Sequence, residues 1–290
     1  MVFLVILAGG VVRMTQSGMG CPDWPKCFGL WIPPVNESQL PADFEKYLSK
    51  QDIDHSFNVY HTWIEYINRL LGALLGVFIL INLIWSIRKF WKVDRVIVYI
   101  SLALLLLTGF QGWLGKLVVD SNLSVVKITI HMLVAILIVF LPLITLDRLQ
   151  KKKIIVPKSV KSTLAVLLGI LTIQIILGTE VREQIDHISK SLAYEQRSLW
   201  VERLDSIFIV HRSFSWLVLA GVAVQWYYGR GLEAYRSLSI GIVGLVLFTI
   251  ACGIIMAYAG MPAVAQPAHL VSACAIIVTV FYCWLRVKSS

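Results

Sequence analysis

Residues 61–87, HTWIEYINRLLGALLGVFILINLIWSI, decide the fold of this chain. A helix of about 20 apolar residues crosses the hydrocarbon core of a bilayer. This stretch is long enough, and its charged side chains are Glu65 and Arg69 alone. It is therefore predicted to be a transmembrane helix whose polar residues need a specific explanation.

Similar apolar runs recur along the chain, at about 96–118, 127–146, 162–180, 207–228, 238–259 and 266–285. A shorter run, Val2–Val12, directly follows Met1 and lacks the basic start and small-residue cleavage site of a signal peptide. We expect it to be a shortened or truncated first span. The predicted fold is an all-α integral membrane protein with eight transmembrane helices.

The composition excludes several classes of protein. The 290 residues are 58% hydrophobic and 15% charged, whereas a soluble domain has about 25% charged residues. The mean hydropathy is +0.76. A soluble enzyme, a disordered protein and a nucleic-acid binder are therefore excluded. We attribute the net charge of +9 to basic cytoplasmic loops.

Charge in the loops predicts the topology. Basic residues concentrate in segments 88–95 and 147–161, whereas loop 14–60 has more acidic than basic residues. By the positive-inside rule, we expect both termini to be cytoplasmic. Loops 14–60 and 181–206 are then expected on the outer side of the cytoplasmic (inner) membrane.

Short motifs recur once per predicted helix in the two halves of the chain. The pairs are Gly9-x-x-Val12-Arg13 with Gly178-x-x-Val181-Arg182, Asn68-Arg69 with His211-Arg212, Thr108-x-x-x-Gly112 with Thr249-x-x-x-Gly253, and His131-x-x-x-Ala135 with His269-x-x-x-Ala273. The repeat predicts two pseudo-symmetric four-helix bundles, residues 1–150 and 151–290, related by an axis near the membrane normal.

Histidines are the main candidates for a functional site. His131, His211 and His269 each lie three to five residues inside an apolar run, at similar depths below the outer surface. His211 and His269 come from one predicted bundle, an arrangement that suits axial ligation of a haem. The alternative is that each is an interfacial side chain bonded to a neighbour. Zinc is less favoured because its sites need three or four clustered ligands. His55 and His187 are expected to be solvated in outer loops.

The second predicted helix carries a polar face. His61, Glu65 and Asn68 share it at spacings of four and three residues. Glu65 is a candidate for acid–base or electrostatic work, and the alternative is a structural ion pair with Arg69. Arg69 and its repeat partner Arg212 suit haem propionates or could extend to the lipid headgroups.

Two cysteines share the predicted outer loop, in Cys21-Pro-Asp-Trp-Pro-Lys-Cys27. In an oxidising compartment they would form a small disulfide loop. The disulfide would be either structural or redox-active with an outer thiol protein.

These motifs together resemble the haem A synthase family. The resemblance spans nearly the whole chain and is most specific at the end of the first helix and the loop after it. Its carriers are Gly9-x-x-Val12-Arg13, Thr15-x-Ser17-Gly18-x-Gly20-Cys21-Pro-x-Trp24-Pro25-x-Cys27, Glu65-Tyr66-x-Asn68-Arg69, Gly178-x-x-Val181-Arg182, His211-Arg212 and His269.

The resemblance implies an eight-helix oxidoreductase that converts haem O to haem A for cytochrome oxidase by oxidising the C8 methyl group to a formyl group. It implies a b-type haem held by His211 and His269, with Arg212 nearby, and a substrate haem at His131, with Glu65 serving the chemistry. The family pattern Glu-x-x-His-Arg has Asn68 at the histidine position here, so either His61 substitutes for it or His131 is the single protein ligand of the substrate haem.

The expected partners are haem O synthase, the cytochrome oxidase assembly process, membrane lipid and an electron donor or acceptor, with an outer thiol-redox protein as a candidate. No nucleic acid is expected. The alternatives to the enzyme are a di-haem b membrane cytochrome that transfers electrons and a haem-delivery assembly factor.

Overall fold

The computed structural model describes residues 1–48, 57–121, 125–150 and 152–289, and in these ranges the chain is almost entirely helical. The main helices are α1 (Val2–Met14), α3 (Val59–Phe90), α4 (Arg95–Asp120), α5 (Val125–Leu149), α6 (Lys158–Ser191), α8 (Ser206–Gly229), α9 (Glu233–Tyr258) and α10 (Ala265–Arg286). Short helices α2 (Glu45–Leu48) and α7 (Arg197–Glu202) lie in the connections, and strands β1 (Ile154–Val156) and β2 (Val287–Ser289) pair in parallel.

Polar residues at the helix ends explain where several helices begin. The side chains of Asn58, Asp94 and Asp205 accept backbone N–H groups in the first turns of α3, α4 and α8. Such caps satisfy donors that have no partner within the helix. α6 begins directly after Pro157, a residue whose fixed φ suits a helix start.

Within the described ranges, seven helices are long and apolar enough to cross a membrane, which confirms the all-α membrane class. α1 is apolar but only 13 residues long, so the eighth span stays a prediction. Large apolar side chains are exposed in mid-span, among them Leu106, Val166 and Trp216. In water such surface would be unfavourable, and it fits contact with lipid.

The structure differs from the prediction in the loop at 181–206. α6 continues to Ser191 and α7 follows at Arg197–Glu202, so most of this loop is helical. His187 lies in this extension and is exposed, 3.8 Å from the carboxylate of Glu183. His55 and part of loop 14–60 lie outside the described residues.

The chain divides into two compact units, residues 1–138 and 139–290. The boundary falls within α5, before the predicted boundary after residue 150. The N-terminal unit holds α1, α3, α4 and the start of α5. The C-terminal unit holds the rest of α5 and the elements from β1 to β2, including the contacts of α6 with α8 and of α9 with α10.

Candidate functional site

The two histidines of the C-terminal unit each lie against a glycine of a neighbouring helix. A Cβ atom added to Gly178 would lie 3.2 Å from Cε1 of His211, and one added to Gly253 would lie 3.5 Å from Cε1 of His269. Because Gly178 on α6 and Gly253 on α9 have no side chain, each leaves room for the imidazole ring beside it.

The distance between these two rings fits one metal ion between them. The ring centroids of His211 and His269 are 6.5 Å apart. Two imidazoles that bind one iron from opposite sides have centroids roughly 6 Å apart, because a metal–nitrogen bond to histidine is about 2 Å long. Imidazole is also a suitable ligand for iron.

A hydrogen bond fixes the orientation of His269. Its Nδ1 lies 2.9 Å from the backbone oxygen of Thr249. Since a carbonyl only accepts, Nδ1 carries the proton, and the lone pair of Nε2 remains for a metal. Metal-binding histidines usually have such a partner on the second nitrogen. The residues of the C-terminal unit therefore fit a haem with two histidine ligands.

The N-terminal unit repeats half of this arrangement. A Cβ atom on Gly115 would lie 3.6 Å from Cε1 of His131. The side chain of Gln111, one turn earlier on α4, donates to the backbone oxygen of His131 at 2.8 Å. Gln174 donates to the backbone oxygen of His211 in the same way, at 3.2 Å.

This packing corrects one of the repeat matches. The sequence paired Gly112 with Gly253, but a Cβ atom on Gly112 would have no heavy atom within 4 Å, and Gly115 is the residue that faces His131. The Thr-x-x-x-Gly motif occurs in both helices, but in α4 its glycine lies about one turn before the glycine that packs against the histidine.

The fourth position of the repeat is different. Asn68 stands where the C-terminal unit has His211, and a Cβ atom on Gly9, the counterpart of Gly178, would meet nothing within 4 Å. The side-chain oxygen of Asn68 is buried, and it has no hydrogen-bond partner among the described residues.

Glu65 and Arg69 form a buried ion pair that holds the loop after α1. Glu65 is 3% exposed, pairs with Arg69 and accepts the backbone N–H of Cys21 at 2.7 Å. Arg69 also donates to the backbone oxygens of Cys21, Asp23 and Lys26 at 2.7, 2.6 and 3.1 Å. The ion pair that the sequence offered as an alternative for Glu65 is thus present, and Arg69 is engaged with the loop.

The anchored loop is closed by a disulfide between Cys21 and Cys27, whose Cα atoms are 4.9 Å apart. Asp23 accepts the backbone N–H groups of Phe28 and Gly29 at 2.6 and 2.9 Å. A Cβ atom on Gly20 would lie 2.3 Å from the backbone oxygen of His61, so only glycine allows the loop this close to α3.

Further contacts extend this anchorage. Tyr66 donates to the backbone oxygen of Trp31 at 2.6 Å and Trp63 to that of Pro34 at 3.2 Å. Neither side chain was expected to take part, although the two aromatic residues lie one turn apart on α3 and flank Glu65, a signal that could have been used. In the other unit, the guanidinium of Arg212 lies over the ring of Phe208.

Comparison with known proteins identifies the family of the chain. A family model described as a cytochrome oxidase assembly protein (COX15-CtaA) matches residues 1–281. The heme A synthase of Flavobacterium johnsoniae is 26% identical over 287 aligned positions, which cover 86% of this chain and 82% of that protein. The heme A synthase of Methylobacterium radiotolerans is 28% identical, with 96% and 84% covered.

A shorter match, with the heme A synthase of Ehrlichia canis, is 33% identical and covers 48% of this chain and 44% of that protein. The chain thus spans less than half the length of this relative, but most of the length of the two above. No solved structure matches the chain. Since the family model covers nearly all of the sequence, the chain belongs to the cytochrome oxidase assembly protein family.

Proposed function

We propose that the chain is a haem A synthase, a membrane oxidoreductase that oxidises the C8 methyl group of haem O to a formyl group. One observation carries the proposal: the ring centroids of His211 and His269 are 6.5 Å apart. The pair would supply a haem site in a chain whose relatives from Flavobacterium johnsoniae and Methylobacterium radiotolerans are named heme A synthase.

In this proposal the C-terminal unit holds the b-type haem. His211 and His269 supply the two axial nitrogens, and Gly178 and Gly253 leave room for their rings. Arg212 is exposed on the turn that follows His211 and would pair with a haem propionate, since a guanidinium binds carboxylates well.

The N-terminal unit would hold the substrate, haem O. His131 would be its protein ligand, and Gln111 holds the backbone of His131 through a hydrogen bond. Asn68 lies one turn from Glu65 on α3 and would line the same site, whereas the backbone of His61 packs against Gly20 of the loop. Arg69 holds the loop above this end of α3.

Glu65 is the proposed catalytic residue. A bound haem supplies redox-active iron and, as the substrate, the methyl group that is oxidised. The carboxylate of Glu65 would accept a proton released from the methyl group. An external oxidant, reached through the bound haem, would accept the electrons, and water or dioxygen would supply the formyl oxygen. Its two oxygens have about four acceptor sites, so the contacts with Arg69 and Cys21 orient the carboxylate and leave capacity for a proton. Burial of Glu65 keeps bulk water away from this group.

The same proposal includes the predicted organisation in the membrane. The two bundles are pseudo-symmetric, both termini are cytoplasmic, and the haem sites lie near the outer face of the inner membrane. Haem O synthase would supply the substrate, and cytochrome oxidase would receive the product. The exposed side of the disulfide loop would face an outer thiol-redox protein.

Co-expression of the chain with a haem O synthase, followed by haem extraction and chromatography, tests the function. The enzyme is expected to give haem A. A di-haem cytochrome would retain two haems without making haem A, and a delivery factor would release haem O unchanged. Either of these results would refute the proposal. His211→Ala and His269→Ala are each expected to abolish the low-spin b-type absorbance.

A further inference from the structure

We infer that the haem of the N-terminal unit has a single protein ligand, His131, and that its opposite axial position is open to a small exogenous ligand such as water or carbon monoxide. The open position lies beside Asn68 and Gly9. The inference rests on the proposed function only in placing a haem in this unit.

The repeat shows that a ligand position is missing. Three glycines have an imidazole ring within 3.2–3.6 Å of their built Cβ atoms, namely Gly115, Gly178 and Gly253. Gly9, the counterpart of Gly178, has no heavy atom within 4 Å of its Cβ position. No imidazole ring therefore packs against Gly9 in the way that His211 packs against Gly178.

The chemistry of Asn68 favours contact with a ligand over contact with the iron. The side chains that serve as haem ligands are histidine, cysteine, methionine and tyrosine, and a carboxamide is not among them. The buried oxygen of Asn68 has no hydrogen-bond partner in the described ranges. A buried polar atom of this kind is unfavourable unless something pairs with it. Water bound at the open position would donate to this oxygen.

His61 is too far along α3 to replace the missing ligand. It precedes Asn68 by seven residues, which is about 10 Å along the helix axis at 1.5 Å per residue. Its backbone oxygen lies where Gly20 of the disulfide loop packs, so the first turn of α3 has no room to slide toward the position of Asn68.

Carbon monoxide binding to the purified full-length protein tests the inference. The protein is loaded with iron protoporphyrin IX in detergent, reduced, and titrated with carbon monoxide, while the ferric form is examined by electron paramagnetic resonance. We expect one carbon monoxide per chain and one high-spin ferric signal in the parent, besides the low-spin signal of the C-terminal unit.

Two variants exchange the residues of the repeat. Asn68→His is expected to convert the high-spin signal to low spin and to reduce carbon monoxide binding at least tenfold. His211→Asn is expected to create a second carbon monoxide site. Asn68→Leu is the matched control: it removes the amide but adds no ligand, so carbon monoxide binding should persist.

The inference is overturned if the parent binds no carbon monoxide, if Asn68→His binds it as the parent does, or if the chain holds one haem in both proteins. Haem A formation is measured separately in co-expressing cells. A chain that shows the expected ligand binding but makes no haem A refutes the proposed enzyme and supports the open position. A chain that makes haem A but holds two low-spin haems supports the proposed enzyme and refutes the open position.

Discussion

Arg69→Ala is the sharpest test of how the disulfide loop is held. The change removes three hydrogen bonds to loop carbonyls and leaves the buried carboxylate of Glu65 without its cation. Breaking a buried ion pair by removing one partner costs about 3–5 kcal/mol. Since about 1.4 kcal/mol is a factor of ten, loop amides that open locally should exchange with solvent at least roughly a hundredfold faster.

Hydrogen exchange with mass spectrometry of peptides covering residues 17–30 measures this effect. Arg88→Ala is the matched control, because Arg88 is exposed near the other end of α3, and it should leave the loop unchanged. The reasoning is refuted if Arg69→Ala changes loop exchange by less than about twofold.

Glu65→Gln separates anchoring of the loop from catalysis when hydrogen exchange and haem A formation are both measured. The amide keeps an acceptor for the N–H of Cys21 and removes the charge, so the loss should be about 1–2 kcal/mol and the increase in exchange roughly tenfold. With a catalytic role, this variant accumulates normally, keeps the haem b of the C-terminal unit and makes little haem A. Haem A formation at the parental rate would leave anchoring as the sole role of Glu65.

The other predictions concern packing, the disulfide and a helix cap. Gly178→Ala forces the ring of His211 to move, since the added Cβ would lie 3.2 Å from Cε1 of His211. We expect an altered haem b spectrum and a loss of about 1–3 kcal/mol in the free energy of unfolding. Gly9→Ala is the control and should change neither the spectrum nor the stability. Cys21 and Cys27 should resist thiol labelling without a reductant, and full labelling of both would contradict the disulfide. Asp205 accepts the N–H of Ile207, and this hydrogen bond lowers the pKa of the Asp205 carboxyl below its ordinary value. Its stabilisation of α8 is therefore complete above the ordinary pKa and is lost as the pH falls through the lowered pKa. Exchange protection at the start of α8 should therefore fall in acid in the parent but not in Asp205→Asn; equal acid sensitivity in both would exclude Asp205 as the cause.

Hydropathy predicted the main helices because burial in a bilayer imposes a long apolar run on each span. The same criterion missed the extension of α6 to Ser191, since residues 181–191 are mostly polar and helical order outside the membrane needs no apolar run. The match of Gly112 with Gly253 was wrong for a different reason. A short motif fixes which residues occur together, whereas packing depends on which side of the helix faces the neighbour.

The proximity of His211 and His269 was predictable from their similar depth in the sequence, whereas their role as haem ligands stays a prediction. The anchoring role of Arg69 was not predictable, because its three carbonyl acceptors belong to backbone that is 43 to 48 residues away in sequence. Every residue has a backbone carbonyl, so the amino-acid sequence does not indicate which carbonyls accept a hydrogen bond from a distant side chain. Gly20 is an intermediate case: its place before Cys21 marked a tight loop, but only the structure shows that α3 is the surface it contacts.

The extension of α6 contributes to a methionine-containing cluster in the C-terminal unit, whereas a disulfide closes the loop after α1 in the N-terminal unit. At 1.5 Å per residue, this helix of 34 residues is about 51 Å long, so it exceeds a hydrocarbon core of about 30 Å. Beyond its apolar part, Ile185 packs with Trp200 and Met261 in a cluster that also includes Met256. A thiol reductant would therefore open the disulfide-closed loop of the N-terminal unit and leave this cluster intact. An oxidant would preserve the disulfide and convert the methionines to polar sulfoxides that disrupt apolar packing.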